Sequence, residues 1–119
     1  MSYDNPLAAR VHDYLSQKEE IRVVEKKMFG GLAFMVNGKM CINVSGNRLM
    51  CRFDPALTEQ LSHRQGFNPM VMKGKSYKGY CYVTPEGYLG EGDFSFWIEL
   101  CLSYNKDAPI AKQRNPKQR

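Results

Sequence analysis

Near the start of the chain, Leu7, Val11, Tyr14, Leu15 and Lys18 recur on one helical face behind Asn5-Pro6, a cap followed by a proline suited to a first helical turn. This predicts a first helix ending near Lys18. From Arg22 to Phe29 the period shifts: the β-branched pair Val23-Val24 and the alternation of Val24, Lys26 and Met28 predict a strand. Gly30-Gly31 interrupts it with a bend or bulge before an apolar run, and Asn37-Gly38 is the pair that a two-residue type I′ turn demands. Pairing about that turn sets Met35 against Met40 and Ala33 against Ile42, with Leu32, Phe34, Val36 and Cys41 on the other sheet face. A two-residue turn at Gly46-Asn47 then aligns Val44 with Leu49, Ile42 with Cys51 and Met40 with Phe53, putting Cys41 and Cys51 on opposite faces and excluding a disulfide between them.

Asp54-Pro55 repeats the cap-plus-proline signal, Leu57 and Leu61 are spaced i, i+4, and Gly66 stands where a helix-ending glycine belongs, so a short second helix follows the meander. Residues 67–79 read as irregular, Tyr80 to Thr84 as a further strand, and Pro85-Glu86-Gly87 as a turn. Asp93 can cap a third helix whose Phe94, Trp97, Ile98, Cys101 and Leu102 fall on one face, with Trp97 in the core. Periodicity stops after Lys106. The expectation is an α+β two-layer sandwich in residues 1–106, with three helices and a mainly antiparallel sheet of about five strands, followed by a basic, unstructured tail over 107–119.

Length and charge narrow the classes. A chain of 119 residues suits one domain with a core of its own. Net charge is +5, but the tail's Lys112, Arg114, Lys117 and Arg119 against Asp107 carry +3 of it, so the body is only weakly basic. No apolar run approaches a membrane span, and MSYDNPLAAR lacks the charged and apolar blocks of a signal peptide, so a soluble, cytoplasmic protein away from membranes is expected. Cys41, Cys51, Cys81 and Cys101 form neither Cys-x-x-Cys nor a paired histidine motif and sit in apolar runs, which predicts buried free thiols without zinc or a redox dithiol.

Chemistry-bearing motifs are few. Gly74-Lys75-Ser76 resembles the end of a phosphate loop, but Pro69 stands where its first glycine belongs and no helix pattern follows. His12 and His63 lie on different predicted helices without a neighbouring nucleophile, and Glu86, Glu91 and Asp93 read as turn and cap residues. No catalytic residue, cofactor or metal is expected. Two surfaces stand out instead. Lys73, Lys75, Tyr77, Lys78 and Tyr80 interleave cations with rings, as a partner or nucleic-acid surface needs, or else form a solvated loop running into a core strand. Leu32, Phe34 and Val36, with Cys41 and Met50 beside them, form either an interface patch or a second buried face.

Met28-Phe29-Gly30-Gly31, the apolar strand and Asn37-Gly38 are followed in order by Met40-Cys41-Ile42, Leu49, Arg52, Lys78-Gly79-Tyr80 and Val83-Thr84-Pro85-Glu86-Gly87. This series resembles the N-terminal domain of the TfoX/Sxy competence regulators and its stand-alone relatives, from Ala9 to Tyr104. The resemblance implies an α+β, non-enzymatic domain in regulators of competence and transcription that acts by associating with other macromolecules. Within that motif Met28, Phe29, Gly30, Gly31, Asn37, Gly38 and Gly79 are read as structural. The full-length regulators carry a C-terminal domain, whereas the sequence after the Trp97 helix is too short and polar to fold alone. The leading expectation is therefore a small intracellular interaction module with a protein partner, a homodimer being one form. The alternative is direct nucleic-acid binding through Lys73 to Tyr80 and the basic tail.

Overall fold

The computed structural model describes residues 3–28 and 30–108, apart from the Met72 side chain. Helix α1 (Asn5–Ser16) leads into four strands, β1 (Val23–Met28), β2 (Gly31–Val36), β3 (Lys39–Ser45) and β4 (Arg48–Arg52). A 3-10 turn at Pro55–Leu57 runs into the one-turn helix α2 (Thr58–Leu61), followed by β5 (Phe67–Met72), β6 (Lys75–Val83), a second 3-10 turn and α3 (Glu91–Asn105). The six strands form one antiparallel sheet in the order β1-β2-β3-β4-β6-β5. This is the expected α+β architecture with one more strand. The addition is β5, placed at an edge, where Pro69 is tolerated because one side of the strand needs no ladder donors. The segment 67–79, read as irregular, is thus strand on both sides of a Lys73-Gly74 turn in which both residues have positive φ.

Local signals mark the helix starts to within three residues, while α2 ends at Leu61, well before the Gly66 expected to close it. Asp4 rather than Asn5 caps α1, its carboxylate accepting from the Leu7 N–H at 3.0 Å, and Pro6 lies in the first turn. Asp54 caps the Pro55 turn through the Ala56 N–H at 2.9 Å. Gly90, not Asp93, is the cap of α3, and Asp93 sits in the first turn, where a carboxylate complements the helix dipole. Residues 107 and 108 continue in a turn off α3, with the Lys39 ammonium donating to the Ala108 carbonyl at 3.0 Å; the expected tail beyond them lies outside the described residues.

Register explains how the sheet is filled. Asn37 and Gly38, with φ of 51° and 85°, make the expected type I′ turn, and Met35 faces Met40. The next expected pair, Ala33 with Ile42, does not form: Phe34 faces Ile42 and Ala33 faces Asn43, because Cys41 is an extra residue bulged into β3. Beyond the bulge Val44 faces Leu49 and Ile42 faces Cys51 as expected, but Met40 is out of step with Phe53. Cys41 and Ile42 consequently both enter the same core, so Cys41 and Cys51 share a face, correcting the expectation that they lie on opposite ones. All four cysteines are buried free thiols.

That core lies between the sheet and the helices. Leu7, Val11 and Leu15 of α1 and Trp97, Ile98 and Cys101 of α3 pack on the sheet face presenting Phe34, Ile42, Val44, Leu49 and Cys51. Trp97 is fully buried, and its indole N–H donates to the Gly87 carbonyl at 3.1 Å, so the one polar atom of the largest core ring is satisfied. At the helix rims Tyr14 and Lys18 both donate to Glu99, at 2.6 Å each, tying α1 to α3. Burial first, then the Glu99 hydrogen bond and charge, push the Tyr14 hydroxyl up to about 12. Glu99 is held below the usual carboxylate range, chiefly by Lys18.

Candidate functional site

The expected cationic and aromatic segment is brought together on a projecting hairpin. β4 pairs with β6 only from Tyr80 to Val83, so residues 75–79 of β6 and the facing part of β5 extend past the end of β4. On this arm Lys73, Lys75 and Lys78 are exposed, Tyr77 is 42% exposed and Val71 53% exposed. Tyr80, at the base, is half-buried. Gly79 hinges the arm to the body with φ of 90°. Its N–H donates to Thr58 Oγ1 at 3.0 Å and its carbonyl accepts from the Phe53 N–H at 2.9 Å, while an added Cβ would lie 3.0 Å from Pro55 Cγ. Between the arm and the Pro55–Leu61 segment runs an open groove of about 600 Å³, with Phe67, Tyr77 and Tyr80 on one side and Pro55, Thr58 and Glu59 on the other.

The apolar candidates divide. Leu32, Phe34 and Val36, with Cys41, lie in the helix-covered core, whereas Met50 belongs to the opposite face, so they do not form one patch. Covering by α1 and α3 is the physical reason: these strand residues are core because both long helices pack on the same side of the sheet.

The opposite face carries what sequence reading missed. Its buried cluster is Ala33, Met40, Met50 and Met70, with Met28, Met35, Tyr80 and Tyr82 packed against it, and none of these residues belongs to a helix. Five of the chain's seven methionines therefore meet on one side of the sheet. Met35 and Met40 meet across the Asn37-Gly38 turn, whereas Met50 and Met70 join them only through the strand order, which no local motif encodes. Arg48 lays its guanidinium 3.8 Å above the Tyr82 ring, and Arg52 lies 6.0 Å from the Tyr80 centroid. Asn43, fully buried among them, donates to the Met28 carbonyl at 3.2 Å, while its amide oxygen has no protein donor. Flipping the amide would bring its oxygen against the Met28 carbonyl, so this orientation is the better one.

The motif glycines serve different ends. Gly30 has φ of 73° and open space around it, so it supplies backbone freedom. At Gly31 an added Cβ would fall 2.1 Å from the Val44 carbonyl oxygen and 2.7 Å from Asn43 Oδ1, so this glycine supplies room for β3. Met28 and Gly31 sit at strand ends, Gly30, Asn37 and Gly38 in turns, and Gly79 in the middle of β6; Phe29 lies outside the described residues.

Titratable groups offer little chemistry. The Cys51 thiol neighbours those of Cys101 and Cys81, and Cys51 and Cys81 are cross-strand partners. Burial above all pushes Cys41 and Cys51 well above the ordinary thiol range, which keeps them protonated and poor nucleophiles. His12 is exposed, its Nδ1 2.7 Å from Glu25 Oε2. Among the described residues no group of three or more His, Cys, Asp or Glu is arranged to hold a metal ion, and no helix is long and apolar enough to cross a membrane.

The family model of the TfoX N-terminal domain matches residues 13–104, from within α1 to the last turn of α3. The chain belongs to the TfoX N-terminal domain family. The match spans the whole sheet, the β5–β6 arm and the glycines described above. No curated protein and no solved structure matches the chain.

Proposed function

We propose that this TfoX N-terminal-like domain is a non-enzymatic interaction module of the cytoplasm, and that its working surface is the β5–β6 arm with the groove at its base. One observation carries the reading: Val71 and Tyr77 stand exposed on a hairpin that overhangs the sheet, beside three exposed lysines and an aromatic-lined groove. Exposed apolar and aromatic side chains grouped on a projecting element are what partner recognition uses, and β5 is an edge strand among the described residues, a place where a partner strand can add. Four free buried thiols suit a reducing compartment. A second copy of the chain is one such partner, which the mass in solution reads directly.

The test is capture by tagged protein from its own cell lysate, with and without nuclease, comparing wild type with a Val71→Asp/Tyr77→Ala variant. A nuclease-resistant protein held by wild type and lost by the variant is expected; equal retention by both refutes the arm as the working surface. Direct nucleic-acid binding is the second reading, supported by the exposure of Lys73, Lys75 and Lys78 together. It requires material released by nuclease and reduced by charge reversal at Lys73 and Lys75.

A further inference from the structure

We propose that the face of the sheet turned away from α1 and α3 is a second docking surface, and that its occupant is an acidic, amphipathic segment of a partner protein. Charge decides the sign of the partner. Along the described strands this face contributes Lys26, Arg48 and Arg52 and no carboxylate, because Glu25 points to the other face and pairs with His12. Two copies of the chain stacked through this face would set these cations against one another, so a self-interface here is disfavoured.

The floor decides the texture of the partner. Methionine is long, unbranched and polarizable, and a surface built from it re-packs to follow an apolar ligand. Met28 and Met35 are half-buried over Ala33, which is fully buried, and Val24, beside Lys26 on the edge strand, is 49% exposed. An apolar, deformable floor rimmed by cations matches a segment with one apolar and one acidic side.

Single-stranded nucleic acid is the rival polyanion, and the rings argue against it. Stacking of bases needs open aromatic faces. Here the Arg48 guanidinium already covers Tyr82 at 3.8 Å, and both Tyr80 and Tyr82 are packed into the methionine cluster rather than standing free. A carboxylate, by contrast, can meet the outer edge of Arg48 while the stack stays in place.

A random peptide display library selected on the full chain, with counter-selection on a Lys26→Glu/Arg48→Glu variant, tests the proposal. Recovered peptides should combine net negative charge with regularly spaced apolar residues and bind wild type at least ~10-fold more tightly than the variant. On wild-type protein alone, the same peptides should shift the methyl NMR signals of Met28 and Met35. Peptides without acidic bias, equal binding by the variant, or unmoved methionine methyls would overturn the proposal, as would a thymidine oligonucleotide binding as tightly as the peptides. The arm reading is independent, since a partner seated on Val71 and Tyr77 leaves these methyls unshifted.

Discussion

On the helix side of the sheet, Phe34, Ile42, Val44 and Leu49 are sealed beneath α1 and α3 and meet branched or aromatic neighbours such as Val11, Trp97 and Ile98. On the other side Ala33 and Met50 are just as buried, yet their neighbours are methionines, tyrosines and arginines lying along the strands. Among the described residues, one face packs against helices and the other is lined by strand side chains alone. The contrast separates two meanings of burial: shape-specific packing between layers, and cover that can move aside without unfolding the chain.

Truncation gives the largest test of that contrast. Trp97→Ala removes the central ring of the helix-covered face and should cost about 3–5 kcal/mol in urea unfolding. Met35→Ala on the opposite face, where the side chain is only half-buried, should cost well under half as much. Equal losses would break the distinction between the faces.

The paired glycines come next. Gly31→Ala drives a methyl into the Val44 carbonyl and the Asn43 amide, an overpacking cost of about 1–3 kcal/mol. Gly30→Ala meets open space and pays only the positive-φ penalty of about 1 kcal/mol, so its melting temperature should fall less. A reversed order would mean that the turn, not the close approach of β2 to β3, dominates at this corner.

Thiol chemistry sharpens the comparison further. With Cys41, Cys51, Cys81 and Cys101 all buried on the helix side, an aromatic disulfide reagent should label none of them in native protein and all four in denaturant. Rapid native labelling would show that the helix layer opens easily. The smallest effect concerns Tyr14, which links α1 to α3 through Glu99. Because folding raises its pKa, the stability it contributes is intact below pH ~10 and is lost as pH climbs toward the folded value of about 12. The wild-type melting temperature should therefore fall relative to Tyr14→Phe across that window; a constant difference would remove the linkage.

Much of this architecture was legible residue by residue. Asn37-Gly38 and Gly46-Asn47 marked their turns, the third helix declared its buried face, and Met35 opposite Met40 followed from the first turn. Ala33 opposite Ile42 failed because the bulged residue, Cys41, is apolar like the Ile42 that follows it and leaves no break in the pattern. β5 was hidden by Pro69, which reads as a breaker unless the strand is known to lie at an edge. The arm residues were visible as a group, although as a loop rather than a hairpin. Of the methionine face only Met35, Met40 and Ala33 were legible together, from the first turn; β6 must insert between β4 and β5 before Met50 and Met70 become neighbours.

That insertion also governs how the sheet comes apart. β5 is paired by backbone hydrogen bonds to β6 alone, and β6 pairs with the β1–β4 meander along four residue pairs, Leu49 with Val83 through Arg52 with Tyr80. The sheet is thus two leaves sewn along one short seam, with Cys51 opposite Cys81 on it. A tug on the outer leaf loads that stitching, and with it β4, ahead of the ladders that join β1, β2 and β3.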